Sequence, residues 1–248
     1  MITFDVKYKN MNDPLNKIRE RFNLKREFDF ESLPEEVRED FTKQMIVKHF
    51  KRGQNIFTEG AFPAGIYFVK KGKIKKFKSL NGGKEQIIYL CNEGEMIGYS
   101  AFLGEEKYQD SAATLTESLI GFVSKEKLVR LLDKHEELSK LLVKKLSHEF
   151  GVMVNFIATF TKKSVRERVA LTLLILNENF RQNKNEDNEI LIELTREDFA
   201  NIVGIAVETL VRFLSDFEAE GLIKKNGRKI IVLDPLQLFN IADLTDNF

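Results

Sequence analysis

LTREDFANIVGIAVETLVRFLSDFEAEGLIKKNGRKIIVLD, residues 194–234, is the stretch whose reading decides the fold. Thr195 is placed to cap the amides of the next turn, with Asp198 three residues on as a variant capping box. Phe199, Ala200, Ile202 and Val203 then supply the apolar face of a short helix. Gly204 tolerates a left-handed backbone, and a second helical period runs through Val207, Leu210, Val211, Leu214 and Phe217 to a stop at Gly221. Two helices joined by a tight glycine turn predict a helix-turn-helix.

Leu222 to Lys225 and Arg228 to Leu233 flank Asn226-Gly227, a pair suited to a type I′ hairpin, so a two-stranded wing is expected next. In such a module the second helix enters the DNA major groove with its first turns at the base edges. The polar residues there are Glu208, Thr209 and Arg212. Arginine donates bidentately to guanine and a carboxylate accepts from cytosine, so Glu208 and Arg212, four apart on one face, suit a G·C-containing half-site. In isolation the pair would read as a helical salt bridge; its place just after the turn favours base reading.

The whole segment resembles the DNA-binding region of the Crp/Fnr family of bacterial transcription regulators. The resemblance rests on Thr195-Arg196, Ile202-Val203-Gly204, Glu208-Thr209, Arg212 and Gly221-Leu222-Ile223. Val207 with Glu208 and Arg212 is similar to the Fnr branch, although Val211 stands where that branch usually has a base-contacting serine.

At 248 residues, 43% apolar and 31% charged, the chain has the composition of a soluble globular protein of one large or two ordinary domains. Met1 to Asn10 lacks the apolar core of a secretory leader and no apolar run is long enough for a membrane span, so a cytoplasmic location and no membrane partner are expected. One cysteine, Cys91, excludes an intrachain disulfide and a four-thiolate iron-sulfur site within one chain. His49, His135 and His148 show no metal-ligand spacing, and no metal site is expected.

Residues 1–31 carry only a short helical pattern from Pro14 to Phe22. Ser32 with Glu35 reads as a capping box and Pro34 as a first-turn residue, with Val37, Phe41 and Met45 on one face. From Ile46 to Val123 short strands alternate with glycine turns: Ile46–Phe50, Asn55–Thr58, Gly65–Lys70, Gly72–Ser79, Glu85–Cys91, Ser111–Leu115 and Ser118–Ser124. That texture predicts a barrel or sandwich. It also resembles the cyclic-nucleotide-binding domain of the same family, a double-stranded β-roll, through Lys51 to Phe57, Glu59-Gly60, Ile66 to Gly72 and Gly94 to Gly98.

In members that bind cyclic AMP, a glutamate follows the glycine matching Gly98, and an arginine-serine pair later neutralises the phosphate. Here those places hold Tyr99 and Asp110-Ser111. An aspartate repels a phosphate that arginine would bind, which argues against cyclic AMP. Gly98, Tyr99, Ser100, Ala101, Asp110 and Ser111 are the candidate effector pocket, for another anion or an apolar ligand, and a purely structural filling is the alternative. The effector's identity and any cofactor stay open.

From Lys125 to about Thr161 the pattern is helical, with Leu138, Leu142, Leu146, Phe150, Met153, Ile157 and Phe160 at spacings of three and four. A stripe of this length needs cover, and the resemblance implies a dimer spine, with Leu142 to Phe160 at its interface. Ser164 and Glu167 form a capping box for a new helix bearing Val165, Val169, Leu173 and Leu176, after a hinge at 161–164. Arg181 to Glu189 reads as a loop before a strand from Ile190 to Leu194.

The expected architecture is therefore α+β: an N-terminal jelly-roll-like β-roll over 1–124, a long dimerisation helix over 125–161, and a winged helix-turn-helix over 162–248. Residues 164–248 hold ten Lys and Arg against fifteen Asp and Glu, a balance of minus five. The basic residues nevertheless sit where phosphates should lie: Arg196, and Lys224, Lys225, Arg228 and Lys229 on the wing. The expected function is a homodimeric regulator reading near-palindromic duplex DNA under control of an effector in the roll, and the resemblance implies RNA polymerase as a further partner. A scaffold using the winged helix for protein contacts is the alternative. No phosphate loop, metal spacing or nucleophile-base motif points to an enzyme.

Overall fold

The computed structural model describes residues 14–22 and 30–244; the expectation about a secretory leader, read at Met1 to Asn10, lies outside the described residues. They divide into two compact units, one of residues 30–153 and 194–210 and the other of residues 14–22, 154–193 and 211–244.

The first unit opens with a short 3-10 turn at Phe30–Ser32 and helix α2 at Glu35–Gln44, helix α1 being Pro14–Phe22 of the other unit. The cap of α2 is Pro34 and not the expected Ser32: Pro34 makes no side-chain cap bond, and its ring-fixed φ of −52° sets the helix entry. Eight strands follow: β1 (Ile46–Phe50), β2 (Asn55–Phe57), β3 (Gly65–Lys71), β4 (Ile74–Ser79), β5 (Glu85–Cys91), β6 (Met96–Ile97), β7 (Ser111–Thr114) and β8 (Ser118–Ser124). They form two four-stranded antiparallel sheets, ordered β1-β8-β3-β6 and β2-β7-β4-β5, the expected β-roll. Val69, Ile97 and Ile120 from one sheet meet Phe57, Ile74, Cys91 and Ala112 from the other in a shared core.

Helix α3 (Tyr99–Leu103) caps the roll, and α4 (Lys125–Lys134) and α5 (Glu136–Phe160) follow β8. The continuous helix expected from Lys125 is broken at His135, whose backbone is extended (φ −125°, ψ 97°) and whose buried ring lies 3.0 Å from Asp40 Oδ2. Holding that ring against α2 turns the chain, and α5 starts afresh. Leu128, Leu131, Leu138 and Leu142 join Phe30, Val37, Phe41 and Phe68 in a second core under the helices.

In the other unit, α6 (Val165–Asn179) carries the expected capping box, Ser164 Oγ accepting from Glu167 N and Glu167 Oε2 accepting from Ser164 N at 2.5 Å. Against it pack α1 and α9 (Pro235–Ile241). Arg19 of α1 donates through Nε and Nη2 to both carboxylate oxygens of Glu178, at 2.7 and 3.1 Å, a fork that fixes the small helix in place. Strands β9 (Ile192–Glu193), β10 (Ile223–Asn226) and β11 (Lys229–Val232) make a three-stranded antiparallel sheet, so the wing has one strand more than the hairpin alone. Helices α7 (Arg196–Val203) and α8 (Val207–Ala219) complete the chain, α7 lying in the first unit.

Candidate nucleic-acid interface

Thr195 caps α7, its hydroxyl accepting from Asp198 N at 2.9 Å and donating to Asp198 Oδ2 at 2.6 Å. Asp198 thus reaches the cap hydroxyl, and not the cap amide as in a full capping box. Gly204 takes the left-handed conformation (φ 75°, ψ 47°) that ends α7 and turns the chain into α8. Leu210, Leu214 and Phe217 bury one face of α8. Glu208 and Arg212 are exposed on the other and Thr209 is half-buried. Among the described residues no salt bridge joins Glu208 to Arg212; the guanidinium stands over the Phe213 ring, 5.3 Å from its centre. Val211, next to Arg212 in sequence, is 43% exposed.

On the wing, Lys224, Arg228 and Lys229 are exposed. Lys225 differs: its Nζ is 3.0 Å from both Glu218 and Ser215 of α8, so it fastens the wing to the helix instead of facing outward. The hairpin also departs from the type I′ expectation. Asn226 pairs with Lys229, which makes Gly227-Arg228 the two-residue loop. Only Gly227 there has positive φ, 58°, as in a type II′ turn with glycine first. Arg196 is half-buried at the start of α7.

The roll presents a second candidate site. Tyr99, Ala101 and Ser111 are buried, Gly98 has φ 79°, and Ser100 faces solvent. Asp110 pairs with Lys76 at 3.0 Å. Ser111 Oγ accepts from Glu59 N at 2.9 Å. Around them lies a charged interior that pattern reading could not assemble: Glu95 accepts from Tyr89 and, at 2.8 Å, from Asn92 N, and faces Lys145 of α5 at 3.9 Å. Burial holds the Glu95 carboxyl above its ordinary range, with Lys145 acting against it. Burial and then Glu95 push the Cys91 thiol up, which makes it an inert thiol. The Tyr99 hydroxyl is buried with no hydrogen-bond partner of ordinary geometry, and burial followed by Glu149 raises its pKa.

Of the expected spine residues, Leu142 is fully buried within its own chain and leaves the interface set, because α5 packs that face on the roll. Met153 and Phe160 are half-buried. Val143 (59% exposed), Leu146 (38%), Phe150 (71%), Val154 (47%) and Ile157 (66%) form the exposed stripe, so Val143 and Val154 were missed by the periodicity. No helix among the described residues is long and apolar enough to cross a membrane, and no group of three or more His, Cys, Asp or Glu among them could hold a metal ion.

Residues 47–135 match the cyclic nucleotide-binding domain family, and residues 167–241 match the Crp-like helix-turn-helix domain family. The chain is 29% identical over 192 residues to the transcriptional activator protein Anr of Pseudomonas protegens, covering 77% of this chain and 78% of that one. It is 28% identical over 200 residues to the fumarate and nitrate reduction regulatory protein of Escherichia coli, covering 81% and 80%. Among solved structures its fold is similar to the c-di-GMP responsive global regulator CLP of Xanthomonas campestris (TM-score 0.69, 19% identity, 80% of this chain and 99% of that one). It is also similar to a CRP/FNR-family regulator of Thermus thermophilus (TM-score 0.60, 22% identity, 81% and 100%). With a sensor roll and a Crp-like helix-turn-helix matched in this order on one chain, the protein belongs to the Crp/Fnr family of transcription regulators.

Proposed function

We propose that this DNA-binding transcription regulator acts as a homodimer on a near-palindromic site, with residues 1–124 as sensor, 125–161 as spine and 162–248 as reader. The observation that carries the DNA reading is the exposed face of α8 directly after the Gly204 turn, where Glu208 and Arg212 stand with no salt bridge between them. Glu208, Thr209 and Arg212 read bases. Arg196, Lys224, Arg228 and Lys229 meet phosphates, and Lys225 holds the wing. The stripe from Val143 to Ile157 supports the dimer, because one helix face with five exposed apolar residues matches a coiled-coil seam. Two-fold symmetry then sets the recognition helices about 34 Å apart.

The charged interior around Lys76, Lys145 and the buried Tyr99 hydroxyl is the place where an effector acts. RNA polymerase is the expected downstream partner. The matched relatives are named as regulators and not as enzymes, which supports a role without catalysis.

The test is a binding titration of a selected duplex with wild type and Arg212→Ala. Loss of about 1 to 3 kcal/mol together with relaxed preference at one position is expected if Arg212 reads a base. The balance of minus five over residues 164–248 favours a protein-contact scaffold as the second reading. Identical binding by the two proteins at every sequence would select it.

A further inference from the structure

Lys75 and Lys76 are neighbours on β4, and successive side chains of a strand point to opposite faces. Lys76 enters the charged interior and pairs with Asp110 at 3.0 Å. Lys75 points the other way, pairs with Glu85, and reaches Asp198 of α7 at 3.1 Å. On the adjacent strand, Gln86 donates through Nε2 to the carbonyls of Asn201 at 2.8 Å and Ile202 at 3.3 Å. Its Oε1 lies 3.0 Å from where a Cβ on Gly204 would stand. All these residues belong to one compact unit.

Each contact answers a local need of α7. Carbonyls in the last turn of a helix lack intrahelical partners, and the Gln86 amide supplies one to two of them. Asp198 is only 8% exposed, so its carboxylate needs the Lys75 ammonium as well as the Thr195 hydroxyl. The roll therefore grips the first helix of the DNA-binding motif at its start, at its end and at the turn into α8. That first helix is the one that crosses the DNA backbone when the second enters the groove.

We propose that the β4–β5 hairpin is an autoinhibitory clasp: Lys75 and Gln86 hold α7 and the Gly204 turn away from DNA, and displacement of Lys76 from Asp110 in the sensor interior releases them. The proposal rests on the DNA reading above and adds its regulation. One strand carries both ends of the device, because moving the Lys76 side of β4 moves the Lys75 side with it. A ligand or charge change that separates Lys76 from Asp110 needs no other route to the reader.

The test compares wild type, Gln86→Ala and the double variant Lys75→Met/Gln86→Ala, using a duplex selected from a random pool and amide hydrogen exchange over residues 196–204. Faster exchange in both variants is expected, with about fivefold tighter DNA binding for Gln86→Ala and tenfold or more for the pair. Tighter binding after loss of a lysine runs against the simple charge effect, which would weaken it. Gln86→Ala keeps every charge and serves if the double variant does not fold. Unchanged exchange overturns the clasp; faster exchange with unchanged or weaker DNA binding overturns autoinhibition. If none of the proteins binds any duplex, the DNA reading fails, and the exchange data distinguish that from failure of the clasp alone.

Discussion

The ammonium of Lys145, on α5, stands 3.9 Å from the carboxylate of Glu95 in the roll and 3.6 Å from Glu149, with side-chain exposures of 7% for Lys145 and 1% for Glu95. A carboxylate this far from water needs its cation: without Lys145, the Glu95 carboxylate would be a buried, uncompensated ion. Lys145→Met is therefore expected to destabilise the fold by about 3 to 5 kcal/mol, measured by denaturant unfolding. The double variant Lys145→Met/Glu95→Gln should recover part of that loss. A single variant as stable as wild type would show that the pair does not fasten α5 to the roll.

The stripe on α5 makes a second prediction. Phe150, 71% exposed, and Ile157, 66% exposed, are large apolar side chains on one helix face. Phe150→Glu/Ile157→Glu should convert a dimer to a monomer in size-exclusion chromatography with light scattering, with the far-ultraviolet dichroism unchanged. A wild-type monomer across micromolar concentrations would remove the dimer from the account.

At the start of α6, Ser164 and Glu167 satisfy each other's amides, and the cap and its neighbours hold the Glu167 carboxyl below its ordinary range. Ser164→Ala should cost about 1 kcal/mol in thermal or denaturant unfolding. No loss would mean that the helix entry is set by packing alone.

Asp40 links stability to pH. Its hydrogen bonds with Lys134 and then His135 hold its carboxyl below the usual aspartate value. A depressed folded value places the contribution above the unfolded value of about 3.9, to be lost as pH falls through the lower folded one. Asp40→Asn should therefore lower the melting temperature at neutral pH and have less effect as the pH drops below about 4. An equal loss at every pH would assign the effect to shape and not to charge.

Much of this was legible in the sequence because it is local. Ile46–Phe50, Glu85–Cys91 and Ser118–Ser124 coincide with β1, β5 and β8, since alternation and glycine punctuation mark strands without tertiary help. The helix-turn-helix was legible for the same reason, Gly204 being a left-handed turn between two apolar periods. The two-residue β6 is too short to carry a period, and no proline or glycine marks the break at His135, which a contact with distant Asp40 decides. Periodicity placed Leu142 on the α5 stripe but cannot tell a helix's own core from a partner's surface. The Lys75–Asp198 pair joins residues 123 apart and belongs to no local pattern.

The most direct test of the central claim is selection of bound duplexes from a random DNA pool, at low and moderate salt, by wild type and by Lys75→Met/Gln86→Ala. The account predicts an enriched inverted repeat with half-site centres about 10 base pairs, or a multiple of that, apart, recovered more strongly by the variant. Recovery of no motif by either protein at either salt would contradict it.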